Sequence, residues 1–184
     1  MSVTPFYQGI FMVCSFFLLL TSPLLLLASP VYLQLTLNHP LSLAAYQVLN
    51  QPLQLAGLGF LPAEIAHLQD VVRWLAVVRL LWLIIVIIIG VGWWTRRRLT
   101  QAALTRAAKF TLGLGIGFGL LILLFWNQVF ISFHRLLFPQ GNWAFPADSL
   151  LIITFPEPFW QLTFFVYLAL VLGLCLLVLL CERF

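Results

Sequence analysis

The chain has 184 residues, of which 63% are hydrophobic, 15% aromatic and only 8% charged, with a formal charge of +4. A soluble domain carries roughly 45 to 50% apolar residues, so this composition excludes an ordinary water-soluble globule and points to an integral membrane protein of one domain. The basic surplus, which in a soluble chain would suggest nucleic acid, reads here as an orientation signal, and no nucleic-acid partner is expected.

Unbroken apolar runs of about 20 residues are membrane spans by default. Four are expected, at about 8–29, 76–95, 109–130 and 159–181, in an all-α four-transmembrane-helix bundle that takes in residues 1–184 as a single domain. The first is kept as a span and not a removable signal peptide: no Lys or Arg precedes it, the run is too long, and Pro30 follows Leu27-Ala28-Ser29. Pro23 is expected to kink it.

In the loop 30–75, VYLQLTL (31–37) alternates leucine with Tyr32, Gln34 and Thr36, which is a strand period. His39, in Leu37-Asn38-His39-Pro40, reads as a loop residue. LPAEIAHLQDVVRWL (61–75) then opens a helix, with Pro62 in the first turn, acid early and Arg73 late. Within it Glu64, His67 and Asp70 fall at every third position, so each is a helical neighbour of the next.

Arg79 lies a few residues inside the second span, where it either snorkels to the surface or points into a polar site. The connector 96–108 holds Arg96, Arg97, Arg98 and Arg106, with Lys109 just beyond, whereas the other connectors offer only Arg73 and Arg135. The positive-inside rule therefore puts 96–108 in the cytoplasm, with both termini, and leaves loops 30–75 and 131–158 outside. In the third span, GLGIGFG (113–119) lacks the preceding strand that a phosphate-cradling loop needs. It reads as two small-xxx-small pairs, Gly113 with Gly117 and Gly115 with Gly119, that let helices approach closely.

His134 sits one turn past that span in ISFHRLLF (131–138), and Pro139, Gly141 and Asn142 make a turn. Asp148 caps a local turn, pairs with Arg135 or serves a site. LLIITF (150–155) is strand-like, and with 31–37 it is expected to form a small extracytoplasmic cap containing short β-strands. Pro156 and Pro158 bracket Glu157 before the last span. Cys14, Cys175 and Cys181 fall in apolar runs without CxxC spacing and read as core residues.

Four of the five acids, Glu64, Asp70, Asp148 and Glu157, and all three histidines fall on the outer side, so any chemistry belongs there. A carboxylate beside an imidazole fixes its tautomer and raises its basicity, so His67 with Asp70 has the make-up of a general base. His134 ends an adjacent element on the same side, and the two rings are expected to face one apolar pocket. Two alternatives stay open. Glu64, His67, Asp70 and His134 have the atoms of a metal site. A non-enzymatic integral membrane protein is the other, with Asn127 and Gln128 as its polar residues near the outer end of the third span.

The HLxDV of His67 to Val71, the FHxLF of Phe133 to Phe138 with one extra leucine, the NWxF of Asn142 to Phe145, Asp148 with the LI that follows, and the FPExFW of Phe155 to Trp160 together resemble the bacterial lipoprotein intramolecular transacylase family. The resemblance implies an acyltransferase of the plasma membrane with its site outside. It would move an acyl chain from the diacylglyceryl group of a lipoprotein to the amine of that lipoprotein's N-terminal cysteine. His67 and His134 would be the essential histidines, supported by Asp70, Asp148, Glu64 and Arg135. A diacylglyceryl-lipoprotein substrate and membrane lipid are the expected partners, a monomer the expected state, and no cofactor or metal is expected. Such a transfer needs no protein nucleophile, because amine and ester are tethered together.

Overall fold

The structure, a computed structural model, describes residues 4–36 and 52–182; His39 lies outside the described residues. In chain order the described elements are α1 (Thr4–Leu27), α2 (Pro30–Thr36), α3 (Pro52–Gly57), α4 (Pro62–Leu137), α5 (Leu150–Thr154) and α6 (Glu157–Cys181). Three of these, α1, α4 and α6, are long and apolar enough to cross a membrane.

Two expectations are corrected. The first is the β-containing cap, because no strand occurs among the described residues, and 31–36 and 150–154 of the strand-like segments are helical. Residues 31–36 belong to α2, where Pro30 suits the first turn and Ser29 Oγ accepts from the Tyr32 N–H at 3.4 Å. Residues 150–154 form α5, capped by Ser149, whose Oγ accepts from the Ile152 N–H at 3.3 Å. A capped helical turn satisfies its own backbone, whereas a strand must find a partner, and five to seven residues of apolar pattern do not separate the two.

The second correction concerns the four separate spans. The expected second and third lie in one helical run of 76 residues, because RRRLTQAALTRAA between them contains no glycine or proline and is rich in strong helix formers. The run nonetheless doubles back. A Cβ on Gly92 would lie 2.9 Å from Thr100 Oγ1, whereas eight residues of straight helix rise about 12 Å.

The chain divides into two compact units. The first comprises Met1–Leu25, Val78–Leu120 and Val166–Phe184. Its core joins Leu19, Ala107, Ala108, Val171 and Cys175. Trp82 donates its indole N–H to Ser22 Oγ at 2.9 Å, and the Tyr167 hydroxyl donates to the Leu20 carbonyl at 3.2 Å. Leu80, Leu83, Ile87, Ile116 and Phe118 are all exposed, an apolar surface suited to lipid and costly in water.

Only one of the two glycine pairs meets a helix. A Cβ on Gly115 would come within 2.9 Å of Leu172 Cδ2, and one on Gly119 within 2.6 Å of Leu168 Cδ2, so this face is closed against α6. Gly113 and Gly117 have nothing within 4 Å. Gly119→Leu is therefore expected to cost about 1–3 kcal/mol by overpacking, and Gly117→Leu far less. Thermal melts of the two purified variants check this; equal losses would mean that the Gly119 contact carries no weight.

The second unit comprises Leu26–Val77 and Leu121–Phe165. Leu33, Leu55, Phe60, Ile65, Leu68, Leu151, Phe155 and Phe159 form its core, which binds α2, α3 and α5 to the first turns of α4 and α6. The Tyr32 hydroxyl donates to Thr163 Oγ1 at 3.0 Å, and the Trp126 indole donates to Glu157 Oε1 at 2.7 Å. Both ends of α4 lie in this unit, so residues about seventy positions apart are framed by one core.

Candidate functional site

Glu64, in the first turn of α4, is 1% exposed. Its Oε2 accepts from the Leu61 N–H at 2.7 Å and its Oε1 from the Leu151 N–H at 2.9 Å. These are donors that a helix start leaves without an internal partner. One buried carboxylate thus fastens α5 to the start of α4.

His67 follows one turn later and is 8% exposed. Its ring meets Phe138 edge-on at 4.6 Å between centroids and Phe145 at 5.9 Å. His134, in the last turn of α4, lies 4.1 Å from the Phe130 ring and 5.2 Å from Trp143. The two imidazoles stand 6.3 Å apart, with their planes inclined by 27°, and Phe138 touches both. The structure thus brings the two histidines together, among the rings of Phe130, Phe138, Trp143 and Phe145.

Their hydrogen bonds differ. His134 Nδ1 is 2.8 Å from the Phe130 carbonyl oxygen. A carbonyl only accepts, so Nδ1 carries the hydrogen and neutral His134 keeps its lone pair on Nε2. His67 Nδ1 is buried and makes no hydrogen bond. Both residues lie outside the apolar stretches 76–95 and 109–130. Burial, reinforced by the neighbouring His134 and opposed by Asp70, lowers the pKa of His67 to about 4. Burial also lowers that of His134, against the pull of the Phe130 carbonyl. Both rings are therefore neutral at pH 7.

Asp70 does not orient His67 as its spacing suggests. Its Oδ1 accepts from Arg73 Nη1 at 2.9 Å, and its Oδ2 accepts from Gln140 Nε2 and from Asn142 Nδ2, each at 2.8 Å. These bonds, that from Asn142 foremost, hold the carboxyl below its usual range. The reason lies in helical pitch: a three-residue step turns about 300°, so Glu64, His67 and Asp70 fan over roughly 120° instead of stacking. Asp70 instead ties down the segment that carries Trp143 and Phe145 to the two imidazoles. The NWxF pattern signalled this segment, but nothing marked Gln140.

Asp148 and Arg135 are exposed, and no hydrogen bond or ion pair joins them; Ser149, one residue on, is the cap of α5. A cleft of about 320 Å³ opens beside Asp70, lined also by Arg73, Trp74, Val77, Leu137 and Gln140. The Trp74 indole donates to the Leu137 carbonyl across it at 3.2 Å. Among the described residues no three His, Cys, Asp or Glu side chains converge as a metal-ligand set. Glu64 and Asp70 are committed to backbone and amide donors. The cysteines all belong to the other unit.

A family model described as lipoprotein intramolecular transacylase Lit matches residues 31–160, a span that includes every side chain of this site. Neither the curated proteins nor the solved structures yielded a match.

Proposed function

The chain belongs to the lipoprotein intramolecular transacylase family, and on that premise we propose how its histidine pair performs acyl transfer in a membrane. The acyl chain leaves the diacylglyceryl group of a bacterial lipoprotein and joins the α-amine of the same lipoprotein's N-terminal cysteine. Tethering of amine and ester supplies the proximity. The protein is left to move one proton and to stabilise one oxyanion.

His134 is the base. Its free Nε2 takes a proton from the attacking nitrogen as the N–C bond forms, and returns that proton to the glyceryl oxygen as the C–O bond breaks. His67, neutral and dry, donates its N–H to the developing oxyanion without giving it up. Protons balance, and neither ring passes through an imidazolate. This moves the base from His67, where sequence spacing suggests it, to His134, whose tautomer is fixed. The observation that carries the reading is the 6.3 Å approach of the two imidazoles inside an aromatic recess.

The protein is placed, in this reading, in the plasma membrane as a multi-pass protein. The arginines at 96–98 and both termini face the cytoplasm, and the histidines open to the outer leaflet. Exposed leucines and isoleucines along α4 favour a lipid surrounding. The test is expression in a host that lacks the activity, followed by mass spectrometry of lipoprotein N-terminal peptides. An N-acylated lyso form is expected; lipoproteins that keep a free amine and both ester chains would overturn the proposal.

The pH profile makes a further prediction. A free α-amine has a pKa near 8, so kcat/KM is expected to fall with a slope of one below that pH. A histidine of ordinary pKa would steepen the slope to two near 6.5. Because burial lowers both imidazole pKa values, that of His67 to about 4, the second break is expected below 6.5. A second break at 6.5 or above would mean that the imidazoles are not shielded from water.

A further inference from the structure

The first unit carries a concentration of charge that acyl transfer does not use. Arg96, Arg97 and Arg98 follow Trp93, Trp94 and Thr95, and Arg106 and Lys109 come shortly after; all five cations are exposed. Among the described residues the one salt bridge is Arg73–Asp70, so none of these five has an acidic partner. The single acid of this unit among the described residues is Glu182. Arg106 lies against the side-chain amide of Gln8, a neutral group that leaves the charge uncompensated.

Two of the guanidiniums lie over aromatic rings. Arg96 lies 4.2 Å above the Tyr7 ring and Arg97 lies 5.3 Å from the Trp93 ring. A ring face attracts a guanidinium without supplying an anionic partner, and the planar N–H fork of arginine can grip a phosphate with two parallel bonds. The ring contact also removes much of the side-chain freedom that an anion would otherwise have to freeze. A cleft of about 300 Å³ is lined by Arg96, Arg97, Arg98 and Leu99. Beside it Trp94 is 89% exposed, an indole suited to the depth of lipid headgroups.

We propose that this cluster is a binding site for the phosphodiester headgroup of an anionic membrane phospholipid. The uncompensated positive charge selects an anion, and the planar N–H forks of the guanidiniums select phosphate. Leu99, Trp93 and Trp94 favour a phosphate that arrives with a glycerol backbone and acyl chains over a soluble one. The inference does not depend on the transacylase reading, since none of these residues belongs to the histidine site.

The test is native mass spectrometry of the purified full-length chain with phosphatidylglycerol and with phosphatidylcholine, paired with thermal melts in the same lipids. Phosphatidylglycerol is expected to stay bound under conditions that strip phosphatidylcholine, and to raise the melting temperature in a salt-sensitive way. Arg96→Gln/Arg97→Gln/Arg98→Gln should weaken phosphatidylglycerol binding on the order of a hundredfold. The matching triple lysine variant keeps the charge but lacks the planar fork, and should also bind several-fold less tightly. If the triple glutamine variant does not fold, Tyr7→Leu, which unseats Arg96 alone, should lower lipid retention. Equal retention of the two lipids would overturn the proposal. So would full binding by the lysine variant, which would reduce the cluster to bare charge. Competition by inorganic phosphate as effective as that by the lipid would assign the site to a soluble anion instead.

Discussion

Replacing His134 by alanine is expected to lower lyso-lipoprotein formation by about 10²–10⁴-fold, the range general-base catalysis supplies. Replacing His67 by alanine should cost about 10²–10³-fold, the range for one lost oxyanion donor. His134→Gln separates chemistry from packing. Its amide can still donate to the Phe130 carbonyl that now receives His134 Nδ1 at 2.8 Å, yet it cannot carry a proton, so the protein should fold normally and remain inactive. Because the two rings act on one tetrahedral intermediate, the double alanine variant should fall less far than the product of the single losses. The readout is the rate at which the N-acylated peptide appears by mass spectrometry, with a thermal melt for each variant. Wild-type rates in folded His134→Gln would remove that residue from proton transfer. Independent, fully multiplicative losses would separate the two histidines into unrelated roles.

The two histidines that the fold brings together were readable because the chain is so poor in charge. Against an apolar background, His67 and His134 stand out and sit at the two ends of one pair of apolar stretches. Continuity of the helix was not readable in the same way. Residues 96–108 look like a connector by charge, yet arginine, leucine, glutamine and alanine are good helix formers, and charge says nothing about backbone hydrogen bonding. The strand readings failed for a related reason. Seven residues with alternating leucine and six that include four branched aliphatics carry too little periodicity to outweigh Ser29, Pro30 and Ser149 at helix starts. Glu64 was visible as an early acid suited to a helix start. That its second oxygen would meet the Leu151 N–H, 87 positions away, depends on tertiary packing that no local pattern encodes.

Asp70 gives the second large prediction, because its spacing suggested one role and its bonds give it another. Its carboxylate gathers Gln140 and Asn142, and the segment they belong to delivers Trp143 to within 5.2 Å of His134 and Phe145 to within 5.9 Å of His67. The Asn142 amide must turn its nitrogen toward a carboxylate, which leaves Oδ1 buried without a partner. A buried acceptor left open costs about 1–3 kcal/mol, a cost that a donor on the substrate would relieve. Asp70→Ala is expected to reduce kcat by roughly 10–100-fold, the loss typical of a disrupted supporting shell, and to speed hydrogen exchange across 139–145. Asn142→Ala should approach the same loss, while Gln140→Ala, whose bond is exposed, should do less. If Asp70 acts through Asn142, the double variant loses little more than Asp70→Ala alone, a coupling of about 0.5–3 kcal/mol. A role confined to stability would instead lower the melting temperature and leave kcat of the folded fraction intact. A carboxylate acting on His67 directly would move the pH profile in Asp70→Asn while leaving Asn142→Ala near wild type.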